Sequence, residues 1–195
     1  MLDSTAIVLL AAGQSKRFGE PKMHHVLQSG HTLLETAVGL FSGVGAALTV
    51  VVQDKDTRAV NALQHQDVNV VRCVDAHLGM SASIKAGVSA NAHYDAVMIA
   101  LADMIYLQPQ TLRQLCHNAN SQKIIMPRST DQRGKARAGN PVVFGQKFIA
   151  QLLELNGDKG GKSVCRDNTK FVHYLDVNDS GIFHDIDTPA DVLPS

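Results

Sequence analysis

A chain of 195 residues with 45% apolar content can bury a sizeable core, which excludes global disorder and fits one domain over residues 1–195. Lys+Arg and Asp+Glu both total 18, so there is no net basic field of the kind that drives nonspecific nucleic-acid or membrane binding, and any anion site has to be local. Cys73, Cys116 and Cys165 are odd in number and widely spaced, with no CxxC, which reads as buried thiols in a reducing compartment and not as a disulfide frame or a zinc site.

The first apolar run, Ala6 to Ala12, is followed by "GQSKRFGEPK". It is far too short to span a membrane, and "MLDST" ahead of it lacks the cations of a signal peptide, so a complete cytoplasmic chain is expected. "TAIVLLA", "ALTVVVQ", "VNVVRCV" and "DAVMIALA" read as strands too continuously apolar to have one wet face. Between them "TLLETAVGLFSGV", "DTRAVNALQHQ" and "SASIKAGVSANA" read as helices, and "PQTLRQLCHNA" follows with Pro109 in its first turn. This alternation predicts an α/β fold, a three-layer sandwich with a mostly parallel central sheet and ligands beyond the carboxyl ends of its strands. In the second half "KIIMP", "NPVVF", "FVHYLDV" and "GIFHDID" read as strands and "GQKFIAQLLELN" as a helix. The stretch Ser129 to Asn140, "STDQRGKARAGN", reads as the mobile loop.

The loop after the first strand is where such folds hold phosphate. Gly13 and Gly19 let backbone N–H groups approach an anion, and Lys16, Arg17 and Lys22 supply charge; the plain alternative is a solvated basic loop. A Walker A motif is excluded, because five residues separate Gly13 from Gly19 and Glu20 follows. "GDKGGKS" fails the same pattern by one residue, and "GVGAAL" precedes a strand and lacks the last Gly of a dinucleotide fingerprint. The nine histidines give no metal-ligand spacing, since His24 and His25 are adjacent and the others are isolated.

The run does match LAAGxSxRxGxxK through Leu10, Ala11, Ala12, Gly13, Ser15, Arg17, Gly19 and Lys22. It resembles the signature loop of the MobA-like nucleotidyltransferases, and the rest of the chain is most similar to their molybdenum cofactor cytidylyltransferase branch. "LGMSASIKAG", "LADM", "GNPVVFG", "GDKGGK" and "DIDTPAD" resemble further motifs of that branch, in the right order. The resemblance implies a Rossmann-like nucleotidyltransferase fold and cytidylyl transfer from CTP to the phosphate of a molybdopterin-type cofactor. The product would pass to a molybdenum hydroxylase or its chaperone; neither nucleic acid nor membrane is a partner.

Such a transfer needs cations and N–H donors fixed around the phosphates, plus a divalent metal. On the family's pattern Leu10, Ala11, Ala12, Gly13, Ser15, Arg17, Lys22, Gly79 and Ser83 bind the nucleotide. Arg17 forks to phosphate oxygens and Lys22 stands near the α-phosphate. Asp103, at the end of its strand, is the expected holder of Mg²⁺, with Mn²⁺ as the alternative ion. Asp185 and Asp187, two apart in a short strand, are expected on one face as further metal ligands, Asp185 ahead of Asp187; Asp187 could instead cap the last helix. Arg17, Lys22 and Asp103 are the expected catalytic set. The Ala-Ala pair favours CTP over GTP, and Arg133, Lys135 and Arg137, with Asn140 and Pro141, are candidates for one side of an acceptor groove. The competing readings are the same fold with GTP or another phosphorylated acceptor, a nonenzymatic nucleotide-binding chaperone, and an oxidoreductase of the kind also placed in this family.

Overall fold

The computed structural model describes residues 4–130 and 134–193. Its frame is one eight-stranded sheet. β1 (Thr5–Leu10) lies between β2 (Ala47–Gln53) and β4 (Ala96–Leu101), and β3 (Asn69–Cys73) adds outside β2, all four parallel. β7 (Val142–Gly145) runs antiparallel to β4 and to β5 (Ile124–Thr130), so β5 regains the direction of β4. β8 (Val172–Asp176) pairs parallel with β5, whose far end also carries antiparallel β6 (Ala136–Ala138).

Continuous apolar sequence in β1 reflects burial on both faces. Ile7 and Leu9 belong to a core layer with Leu33, Leu34 and Phe41 of α1 (Leu33–Ser42) and Leu112 and Leu115 of α4 (Pro109–His117). Val8 and Leu10 belong to the opposite layer with Ile84 and Val88 of α3 (Met80–Ala90) and Leu152 of α5 (Ile149–Leu153). The expected sandwich is therefore present, with α2 (Thr57–Leu63) between β2 and β3. Gly87 lets α3 sit directly on the sheet, because a Cβ there would run into Val8 Cγ1 and lie 2.8 Å from Val51 Cγ2.

Three expectations are corrected. "GIFHDID" is not a strand: Ser180–Phe183 forms a 3₁₀ turn, because the Asp179 carboxylate accepts from Gly181 N at 2.8 Å and closes the chain on itself. Ser129–Asn140 is not simply a loop, since Arg128, Ser129 and Thr130 pair with Ala138, Arg137 and Ala136 as the arms of a hairpin. "GQKFIAQLLELN" opens as a 3₁₀ turn, Gln146–Phe148, before α5, and an unexpected α6 (Lys162–Asp167) follows. All three cysteines are free and buried, and burial pushes the Cys116 and Cys165 thiols up to about 11. Among the described residues no helix is long and apolar enough to cross a membrane.

The start of α1 is set by a reciprocal cap, in which Glu35 N donates to Thr32 Oγ1 at 3.2 Å and Thr32 N to Glu35 Oε2 at 2.7 Å. Those bonds from Thr32 hold the Glu35 carboxyl below its ordinary value. Its contribution to stability is present above the unfolded carboxylate range and lost as pH falls through the lowered folded value. Thr32→Ala is expected to cost about 1 kcal/mol in urea denaturation near neutral pH. The deficit should shrink in acid only in part, because protonating Glu35 weakens the bond from Thr32 Oγ1 to its carboxylate at 2.8 Å, while the bond from Glu35 N to Thr32 Oγ1 does not titrate.

Candidate active site

The backbone ladder continues past β1 on both sides. Ala11 N donates to Val51 O at 2.8 Å and Ala102 N to Leu10 O at 3.1 Å, so the chain after Ala12 leaves at the carboxyl edge between β2 and β4. Ser15 organises the next loop. It takes a left-handed conformation, φ 51°, its carbonyl accepts from Phe18 N at 3.0 Å and its hydroxyl accepts from Lys22 N at 3.0 Å. Phe18 is buried in the core and pins the loop's middle.

These constraints deliver Lys22 into a buried pair. Its ammonium donates to Asp103 Oδ2 at 2.7 Å and to Ile186 O at 2.6 Å, with side-chain exposures of 11% for Lys22 and 17% for Asp103. Burial raises the Asp103 carboxyl above its ordinary value; Lys22 opposes the shift and the charge of Asp185 adds to it. Asp103 Oδ1 is buried with no hydrogen-bond donor. A buried carboxylate oxygen without a donor is suited to a cation.

Around this pair lies a cleft of about 510 Å³, a size typical of small-molecule sites. Leu10, Ala12, Gly13, Ser15, Arg17, Lys22, Gly79, Ser83, Asp103, Asp185 and Asp187 all line it, so sites spread over most of the chain converge. Ala11 opens instead onto a second cleft of about 550 Å³ that shares the Gly13–Lys16 wall. The Ser83 hydroxyl lies 3.9 Å from Cys73 Sγ. Arg17 reaches Asp187 at 2.7 Å, joining the loop to the chain's last segment.

The acidic residues are gathered differently from the expectation. Asp185 and Asp187 do not alternate on a strand, and among the described residues no group of three His, Cys, Asp or Glu side chains is placed to hold a metal. Asp187 does not cap the following turn either: Thr188 is its N-cap, and Asp191 Oδ2 reaches back from the turn to accept from Asp187 N, Thr188 N and Thr188 Oγ1. What fits a divalent cation is the open Oδ1 of Asp103 near Asp185, a pair of oxygen donors that leaves positions for phosphate and water.

Asp158 is a cleft residue that the sequence does not single out, although its "GDKGGK" motif is plain. It arrives because Gly157 O accepts from Ser81 N at 3.1 Å and Gly79, at φ 111°, carries no side chain; a Cβ there would lie 2.6 Å from Gly157 O. Arg133 lies outside the described residues, and Lys135 and Arg137 are exposed on the hairpin and do not line the cleft. His24 and His25 pair with Asp56 and Glu20, at 2.9 and 3.0 Å.

The MobA-like NTP transferase domain model matches residues 7–173. A curated relative, the nicotine blue oxidoreductase of Paenarthrobacter nicotinovorans, is 28% identical over 185 residues, covering 93% of this chain and 91% of its own. Among solved structures, Rv0371c of Mycobacterium tuberculosis superposes with a TM-score of 0.79 at 25% identity, over 97% of this chain and 95% of that one. Its manganese complex matches at 0.79 and 23% identity, over 96% of this chain and 95% of that one. A nucleotidyl transferase from Methanothermobacter thermautotroptrophicus shares the fold at 0.79 and 23% identity, over 96% of this chain and 94% of that one.

Proposed function

The chain belongs to the MobA-like NTP transferase family, and from that membership and the cleft we propose that it transfers a cytidylyl group from CTP to the phosphate of a molybdopterin-type cofactor, releasing pyrophosphate. The observation that carries the reading is the buried Lys22–Asp103 pair with its open carboxylate oxygen, set at the strand edge beside Arg17.

The acceptor phosphate oxygen attacks the α-phosphorus, the bond to the bridging oxygen breaks, and pyrophosphate leaves in line. Lys22, fixed by Ser15 and by Ile186 O, holds a positive charge where the α-phosphate oxygens gain charge in the transition state. Arg17 takes outer phosphate oxygens in forked bonds. Gly13 offers backbone without steric bulk, Ala12 packs against the base, and Ser83 offers it a hydroxyl. Asp103 and Asp185 would hold a divalent cation, Mg²⁺ or Mn²⁺, which when bound neutralises phosphate charge and polarises the α-phosphorus. The manganese complex of the mycobacterial neighbour supports this choice of ion. Buried free thiols agree with a reducing cytoplasm, where the product would be handed to a molybdenum hydroxylase or its chaperone.

The test is pyrophosphate release from each of the four ribonucleoside triphosphates with Mg²⁺ and molybdenum cofactor, repeated without acceptor. Release with CTP alone, and only with acceptor, is expected. GTP dependence would move the reading to a guanylyl donor. The curated relative's name supports a second reading, oxidoreduction of an organic substrate. NADPH consumption without pyrophosphate would establish it, and CTP binding with neither product would leave a carrier.

A further inference from the structure

Three cations line the proposed triphosphate cradle, Lys16, Arg17 and Lys22, and the two assigned to phosphate oxygens are each already held by a carboxylate at 2.7 Å: Lys22 by Asp103 and Arg17 by Asp187. The pairs differ in depth. Lys22 and Asp103 are nearly enclosed, whereas the Arg17 side chain is 72% exposed and that of Asp187 29%. An exposed pair is worth at most about 1 kcal/mol, so an arriving phosphate can displace it.

The two partners of the outer pair are also held unequally. Asp187 sits on a fixed base, with its own N–H and both donors of Thr188 tied to Asp191 Oδ2 at 3.1, 2.7 and 2.8 Å. One residue earlier, Ile186 N donates to Asp103 O at 3.0 Å, which anchors the same segment beside the buried pair. Arg17 stands on the loop with a long, exposed side chain, so it is the member free to turn.

We propose that Asp187 is a positioning residue, an internal counter-anion that parks Arg17 across the mouth of the cleft and yields it to the phosphate of the incoming nucleotide. This assigns Asp187 to Arg17 and leaves the cation to Asp103 and Asp185, resting on the nucleotidyl-transfer reading for the identity of the phosphate. Its consequence is a threshold. An anion without metal must compete with Asp187 for Arg17 and also meets the carboxylates of Asp103, which Lys22 neutralises only from the Oδ2 side, and Asp185, while a metal-bound triphosphate brings the cation those carboxylates take. Parking also keeps the guanidinium near its working position, so less side-chain freedom is lost on binding.

The test is calorimetric titration of inorganic tripolyphosphate in EDTA against wild type, Asp187→Asn, Arg17→Gln and the double variant, each checked for folding by thermal melting. Asp187→Asn is expected to tighten binding about five-fold, the reach of one exposed pair, and that gain should vanish in the Arg17→Gln background. An equal gain with and without Arg17 would overturn the proposal, because it would reduce Asp187 to a general repulsive charge. So would a variant whose metal-free binding is unchanged but whose Mg²⁺-dependent binding is lost, which would make Asp187 a metal ligand. Tripolyphosphate carries no base and needs no acceptor, so absence of CTP turnover alongside intact coupling would overturn the functional reading and leave this one standing.

Discussion

Lys22→Met is expected to lower the turnover number for pyrophosphate release by about 10³ while leaving a folded but weakened protein, the scale expected on losing a pre-placed charge from an acyl- or phosphoryl-transfer site. The weakening has a separate cause. Lys22 and Asp103 share a nearly dry contact, and removing the ammonium leaves a buried carboxylate unpaired, at a cost of about 3–5 kcal/mol. Asp103 already has a raised pKa, chiefly from burial, and this fixes the sign of the pH effect. A carboxyl whose folded value lies above its unfolded one gives its full contribution to stability below the unfolded value, and loses it as pH rises through the folded value. Losing Lys22 raises the folded value further, so the deficit of the variant should be largest near neutrality and shrink in mild acid. Urea denaturation at about pH 7 and about pH 5 measures this directly. Lys22→Met with Asp103→Leu should recover much of the stability, because an apolar pair of similar volume is tolerated where half an ion pair is not, yet recover none of the turnover. If Lys22→Met kept turnover within a few-fold of wild type, the assignment of this pair to the chemistry would be wrong.

The parts of the fold legible in the sequence are those decided by burial. β1 beyond Thr5 and the whole of β4 are apolar because helices cover both faces, and that pattern survives without knowledge of the partners. The signature loop is legible because it opens directly after such a strand and gathers Gly13, Ser15, Arg17 and Lys22 within ten residues, Gly13 to Lys22. Local pattern misleads where distant partners overrule it. "GIFHDID" alternates like a strand, but Asp179, two residues before it, and Asp103, far earlier in the chain, take up its backbone donors. α6 is six residues long, Lys162–Asp167, too short for a helical period to register. The motif around Asp158 is plain, but its place in the cleft is not, because that depends on a missing side chain at Gly79, a relation between two loops that no spacing encodes. Asp187 reads as a metal ligand or a cap because its partner, Arg17, lies at the other end of the chain.

The second large effect is expected at a residue outside the cleft. Asp179 is 2% exposed, and its two carboxylate oxygens accept from Gly181 N at 2.8 Å and Gln108 N at 2.9 Å, joining the final segment to the start of α4. Asp179→Ala leaves two backbone donors without a partner and should cost about 2–4 kcal/mol in urea denaturation. Asp179→Asn, which keeps one carbonyl acceptor, should fall between it and wild type. The functional loss arises further along the chain. Gly181 lies flat against the Tyr106 backbone, Ile182 O accepts from Asn140 N at 3.0 Å, and Ile186 presents its carbonyl to Lys22 at 2.6 Å. Releasing the first of these attachments lets Ile186 and Asp185 drift by a fraction of an ångström, and displacement on that scale can cost about 10² in kcat/KM without any contact to substrate. Asp179→Ala is therefore expected to lower kcat/KM for the nucleotide at temperatures well below its melting point, with Asp179→Asn recovering a substantial part. Wild-type kinetics in a fully folded Asp179→Ala protein would show that Ile186 and Asp103 hold the acidic segment by themselves, and that the buried carboxylate serves stability alone.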